Sequence, residues 1–255
     1  MPKNNWTYEE HILAFNLYCK IPFTKINSNY EPIKELALII GRTNGSVAMK
    51  LANFARLDPI QQARNVSGLS QGAKGEEIVW NEFNNNWEGL VYKSEQILAQ
   101  YKNDSLEYSS DIITSDLPPP GKDRDALIKM RVNQSFFRRA VIASYNFKCC
   151  ITNIAIPELL IAGHIVPWSV KIEHRTNPAN GLCLNALHDK AFDKGLMTIT
   201  PDYKIKYSEK LLTDIHTTDF ENFFSPYQNK KIRLPQKFHP LTEFLEYHNS
   251  EIFLK

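Results

Sequence analysis

The run LLIAGHIVPW, residues 159–168, sets a histidine inside a short β-branched, apolar stretch closed by Pro167. A run this short, bounded by a proline, predicts a strand rather than a helix. It belongs to a longer segment, CCITNIAIPELLIAGHIVPWSV, where Asn153 and Pro157 interrupt the apolar positions and strands joined by turns are expected. KIEHRTNPAN then reads as a loop. NGLCLNALHDKAFDKG reads as a helix that opens near Asn180 and Gly181 and ends before Gly195. LMTITPDYKIKYSEKL follows as a β-hairpin. A unit of this size must fold back on itself, which puts His164 on a strand, His188 on the helix packed against it, and Asn180 between them.

A lone histidine in an apolar run is usually a hydrogen-bonded core residue. Two imidazoles brought to one cleft have a different use. A neutral imidazole, with a reference pKa near ~6.5, takes a proton from water at neutral pH. A second imidazole can hold a divalent cation, which offsets charge on a scissile phosphate and its departing 3′ oxygen. The Asn180 amide can bridge backbone groups of the loop and keep the first imidazole aimed. The arrangement suits metal-assisted hydrolysis of a phosphodiester.

The segment CITNIAIPELLIAGHIVPWSVKIEHRTNPANGLCLNALHDKAFDKGLMTI resembles the HNH endonuclease module, the ββα-metal nuclease fold. The matching pieces are C-x-T-N at 150–153, G-H-I-V-P at 163–167, N-P-A-N-G-L at 177–182 and L-H-D-K-A-F-D-K-G at 187–195. RVNQSFFRRAVIASYNFKCCIT is similar to the lead-in helix of restriction-type members, and LPQKFHPLTEFLEYHNSEIF to their C-terminal segment. The resemblance implies that His164 is the general base, Asn180 the positioner and His188 a metal ligand, with Mg²⁺ or another divalent cation such as Mn²⁺ as cofactor. It also implies DNA as substrate and 5′ phosphate and 3′ hydroxyl ends. One position departs from the family. Many members carry an acidic residue or histidine just before the general base, as a metal ligand, and here that position is Gly163. Asp189 and Asp193 are the nearby carboxylates. Asp189 reads first as a solvated charge. Asp193, about 140° around the helix from His188, is the expected ligand if the helix ends early at Gly195.

Four cysteines occur, with no C-x-x-C pair. A four-cysteine zinc site has no ligand set, so no structural zinc is expected and Cys149 and Cys150 read as core thiols. Scattered cysteines and an N-terminus without an apolar leader lead us to expect the reducing cytoplasm. No stretch approaches the ~20 apolar residues of a spanning helix.

The N-terminal region reads as helical. WTYEEHILAFNLYCKI opens on a capping box, Thr7 with Glu10. EPIKELALIIG and TNGSVAMKLANFARLD follow as two helices joined by a glycine-bearing turn, a helix-turn-helix-like arrangement. Ala37, Leu38, Ile40, Val47, Leu51 and Phe54 are expected to face inward. Arg42, Asn44, Ser46, Lys50, Asn53 and Arg56 are expected outward, where they either contact DNA or form the solvated face of a helical bundle. Residues 59–75 read as a loop, residues 76–100 as a further helical stretch, and residues 101–125, with Pro118 to Pro120, as a linker. A helix beginning near Ala126 carries Lys129, Arg131, Arg138 and Arg139, either as a solvated face or as a phosphate track. Arg175, in the loop before Asn180, has the same two readings.

The expected class is α+β: a helical, helix-turn-helix-like domain at 1–100, a linker, an HNH nuclease domain at 126–215 and a supporting tail at 216–255. A net charge of +2 means that any affinity for nucleic acid must be local. The expected DNA-contacting residues are Arg42, Asn44, Ser46, Lys50, Arg131, Arg138, Arg139 and Arg175. The expected partner is double-stranded DNA. A homodimer is expected because one site cuts one strand. A restriction or phage-defence role follows from the resemblance. A modification-dependent or nicking nuclease is the first alternative. A DNA-binding regulator on a decayed HNH scaffold is the second, and Gly163 keeps it open.

Overall fold

The computed structural model describes residues 5–65, 74–110 and 112–254. The chain divides into two compact units, Met1–Ser144 and Tyr145–Lys255. Unit 1 is helical throughout its described residues: α1 (Tyr8–Lys20), α2 (Glu31–Ile40), α3 (Asn44–Leu57), α4 (Pro59–Ala63), α5 (Lys74–Phe83), α6 (Trp87–Lys102), α7 (Leu106–Ser109) and α8 (Lys122–Ser144). Helix α1 starts where the sequence requires: Thr7 Oγ1 accepts from the Glu10 amide at 3.2 Å, and the Glu10 carboxylate accepts from the Thr7 amide at 2.8 Å. It packs against α2, α3, α5, α6 and α8. Its Phe15 ring lies 5.0 Å from Phe54, 5.2 Å from Trp80 and 6.2 Å from Trp87. These rings form the centre of the unit, each contributing about 1.5–3 kcal/mol by burial. Gly41 ends α2 in the left-handed region, φ 68°, and Thr43 caps α3 by accepting from the Ser46 amide.

The expected polar face of this helix pair is in large part inside the unit. The Arg42 side chain is 5% exposed and grips the fully buried Glu10 carboxylate, 2.7 Å through Nη2 and 3.2 Å through Nε. The Lys50 side chain is 7% exposed and lies 2.5 Å from Glu76, which also accepts from Asn53. Both cations stand 4.9 Å from the Trp6 ring. Arg42, Lys50 and Asn53 therefore hold the bundle together rather than face outward. Asn44 is exposed and Ser46 half-buried. Leu38, expected in the core, is 85% exposed.

Two further differences concern the loops. Residues 59–63 form α4, because Asp58 caps the turn by accepting from the Ile60 amide and Pro59 presets its φ; residues 66–73 of the expected loop lie outside the described residues. The expected linker contains α7 and is tied to α8 by ion pairs from Arg124 to Glu107 and from Arg131 to Asp116. Helix α8 packs on α1 and α6 within unit 1. No helix among the described residues is long and apolar enough to cross a membrane.

Unit 2 contains two small antiparallel sheets. In the first, β1 (Leu160–His164) pairs with β2 (Gly181–Asn185), with Gly163 opposite Leu182 and His164 opposite Gly181. Helix α9 (Ala186–Asp193) follows directly and packs on both strands. The second sheet is the expected hairpin, β3 (Met197–Ile199) with β4 (Ile205–Tyr207). The stretch from Gly181 to Asn185 is thus a strand, not the opening of the helix. Asn185 decides the boundary: its Oδ1 accepts from the His188 amide at 3.0 Å and caps α9. The tail adds α10 (Glu209–Asp214), α11 (Thr217–Phe223) and α12 (Thr242–Tyr247). It is built into the unit by Arg233 N–H to Cys150 C=O at 2.9 Å and Leu254 N–H to Gly195 C=O at 2.9 Å. Gly195 must be glycine. Its φ is 68°, and a Cβ there would stand 2.1 Å from the Ile252 carbonyl oxygen. Cys149, Cys150 and Cys183 are buried free thiols.

Candidate functional site

The site is assembled at the end of β1, where the strand, the loop before β2 and the first turn of α9 meet. His164 is the last residue of β1. Its Nε2 lies 3.0 Å from the Arg175 carbonyl oxygen. A carbonyl only accepts, so Nε2 carries the proton and, in the neutral ring, Nδ1 carries the lone pair. Burial lowers the pKa of the ring below its ordinary value, opposed in part by the bond to Arg175. The ring is therefore neutral at pH 7 and oriented as a proton acceptor through Nδ1.

The loop that supplies the carbonyl is closed on itself. Arg175 Nε donates to the Trp168 carbonyl at 2.7 Å, and its guanidinium lies 5.1 Å from the Trp168 ring. Trp168 in turn meets the His164 ring edge-on at 5.6 Å. Asn180, 1% exposed, is the rivet. Its Oδ1 accepts from the Val166 amide at 2.8 Å, and its Nδ2 donates to the carbonyls of Val166 at 3.0 Å and His174 at 3.2 Å. An asparagine alone among similar-sized residues offers an acceptor and two donors in one plane. Both sides of the loop are thereby fixed to one side chain.

Residues 149–200 match the family model of HNH endonucleases. The C-terminal part of the chain is thus similar to HNH endonucleases over this segment. Both sheet strands β1 and β2, the loop and α9 lie inside the match. No curated protein matches the chain.

On the α9 side of the segment the expected ligands are His188 and Asp193. His188 is 2% exposed. Its Nδ1 lies 3.1 Å from Asn185 Oδ1, and its Nε2 has no hydrogen-bond partner among the described residues. Phe224 and Tyr227 from the tail enclose the ring, each 5.5 Å away. Burial drives its pKa down to about 4, with the Phe223 backbone pulling weakly the other way. Asp193, the expected second ligand, is 64% exposed on its side chain and lies 4.0 Å from Lys190. The carboxylate that meets the end of β1 is that of Asp189. A Cβ built on Gly163 would stand 2.5 Å from Asp189 Oδ1. Asp189 is half-buried and its pKa is raised to about 6, by burial first and then by the Asp193 charge, with Lys190 opposing. Among the described residues no group of three or more His, Cys, Asp or Glu side chains is arranged to hold a metal ion. The donors present do not make a zinc cage. The Asp189 carboxylate oxygen is a donor that a hard divalent cation, keeping several of its waters, could use.

The basic residues divide in the same way. Arg131 is engaged with Asp116, 2.9 and 2.6 Å, and with the Ile113 carbonyl. Arg175 braces the His164 loop. Arg138 and Arg139 are exposed on α8. Trp168 is a site residue that the sequence did not single out, and Asp189 read there first as a solvated charge. The signal for Asp189 was Gly163 itself, since a glycine within a strand often marks the close approach of another group.

Proposed function

We propose that the HNH segment hydrolyses DNA phosphodiesters with His164 as the general base. The observation that carries this reading is the bond from His164 Nε2 to the Arg175 carbonyl. It selects the tautomer whose Nδ1 can take a proton from an attacking water, in a ring that burial keeps neutral. Nδ1 accepts the proton as the water oxygen bonds to phosphorus, the bond from phosphorus to the 3′ oxygen breaks, and the departing 3′ oxygen takes a proton from a solvent water, leaving 5′ phosphate and 3′ hydroxyl ends. Asn180 does not touch the substrate in this scheme. It holds the loop whose carbonyl aims the imidazole. A divalent cation, Mg²⁺ or Mn²⁺, when bound, supplies charge compensation to the phosphate and the leaving oxygen. Residues on the first turn of α9 would hold it.

The substrate in this reading is double-stranded DNA, cut by a homodimer because each copy carries one site, in a restriction or phage-defence setting. Exposed Asn44 and Arg138, with half-buried Ser46, are expected phosphate contacts of unit 1, and Arg139 is also exposed. The test is a plasmid digest with and without Mg²⁺, comparing the natural chain with His164→Ala. Cleavage is expected only with the cation and only with His164 present. Cleavage that survives His164→Ala refutes the assigned base. No cleavage of plain or base-modified DNA, with binding retained, replaces the nuclease by a DNA-binding protein on the same scaffold.

A further inference from the structure

We infer that Asp189 is the carboxylate ligand of the divalent cation in this chain, taking over from α9 the place that Gly163 leaves vacant on β1. The inference rests on the reading of unit 2 as a metal-assisted nuclease and names one residue of that site.

Two observations carry it. The first is position. Asp189 Oδ1 lies where a side chain at residue 163 would begin, 2.5 Å from an ideal Gly163 Cβ, with Leu184 Cδ1 the next contact at 3.7 Å. The oxygen is delivered to the end of β1, next to His164, by a residue remote in sequence. Any side chain at 163 would have to displace it, so the glycine and the aspartate form one arrangement. The second is the state of the carboxylate. It is half-buried, and no hydrogen bond or ion pair reaches it among the described residues. By contrast the buried carboxylates of Glu10, Glu76 and Glu95 each have a cation in contact. A half-enclosed carboxylate that no cation contacts is costly to keep charged.

The rivals on the same helix are less well placed. Asp193 is exposed and paired with Lys190, and the His188 ring is enclosed by Phe224 and Tyr227.

The experiment titrates Mn²⁺ into the full-length chain and counts the unbound ion by its EPR signal. The natural chain is compared with Asp189→Asn, Asp193→Asn, His188→Asn and the double variant Gly163→Asp/Asp189→Ala, in which the shortened residue 189 leaves room for a side chain at 163. Asp189→Asn keeps size and shape, and a circular dichroism melt checks that each variant is folded. Asp189→Asn is expected to weaken Mn²⁺ binding at least about tenfold, since losing even an outer-sphere partner costs that much. The double variant, which returns a carboxylate to residue 163, is expected to recover part of the loss. Mn²⁺ binding unchanged in Asp189→Asn, or lost only in Asp193→Asn or His188→Asn, overturns the inference while leaving the nuclease reading standing. A natural chain that binds no Mn²⁺ and cuts no DNA overturns the reading itself.

Discussion

Replacing Asn180 with alanine should loosen the His164 loop by an amount the structure allows to be worked out. The side chain makes three hydrogen bonds, to Val166 N–H, Val166 C=O and His174 C=O. The His174 carbonyl also accepts from the Asn177 amide, so it keeps a partner. Val166 is 2% exposed, so its amide and carbonyl are left without water close by. A buried donor stranded in this way costs ~1–3 kcal/mol, and a carbonyl somewhat less. The expected loss is therefore about 2–4 kcal/mol, confined to unit 2. Hydrogen exchange read by mass spectrometry on peptides covering 164–181 is the direct assay. At a factor of ten for each ~1.4 kcal/mol, protection of the Val166 amide should fall by about 30-fold to 1000-fold. Asn180→Asp should not rescue it at pH 7. A carboxylate can still accept from Val166 N–H but opposes two carbonyl oxygens with a negative charge. Protection within about threefold of the natural chain in Asn180→Ala would show that the loop is held by something else, and the positioning argument for His164 would go with it.

Other outcomes follow from the same contacts. Lys50→Met strands the Glu76 carboxylate, which is fully buried, and should cost about 3–5 kcal/mol in urea unfolding; adding Glu76→Leu should recover most of it in a double-mutant cycle. Arg175→Lys removes the Nε bond to Trp168 and the guanidinium over its ring, so kcat should fall with KM for DNA little changed; a change in KM alone would instead make Arg175 a phosphate contact. His248, 1% exposed, bridges Thr198 and the Phe192 carbonyl, and burial drives its pKa to about 4. Its folded value lies below the unfolded ~6.5, so the unfolded chain binds the proton first. The stability it contributes is complete above pH ~6.5 and lost as pH falls to about 4, by up to ~3 kcal/mol. Thermal melts over that range should show a smaller pH dependence in His248→Asn, and equal slopes would refute the assignment.

Some features were legible because they depend on local chemistry. Thr7 and Glu10 cap α1 wherever the helix later packs, and Gly41 ends α2 because its φ suits only a residue without a Cβ cost. The order of His164, Asn180 and His188, with the short apolar run and the hairpin around them, pointed to the ββα segment that the family match covers. Strand β2 was misread for a physical reason. All five of its residues are buried, so its sequence GLCLN shows no alternation between an inner and an outer face. Periodicity cannot separate such a run from the first turn of a buried helix.

The amino-acid order alone determined where α1 starts and α2 stops, and that an imidazole would stand on a strand. It could not say which way Arg42 and Lys50 point, because the carboxylates that draw them inward, Glu10 and Glu76, lie far off along the chain. Nor could it say that residue 189 rather than 188 or 193 meets residue 163. One helical step turns a side chain by ~100°, so that choice depends on how α9 is rotated against β1. Packing across the two strands sets that rotation, and only the tertiary structure contains it.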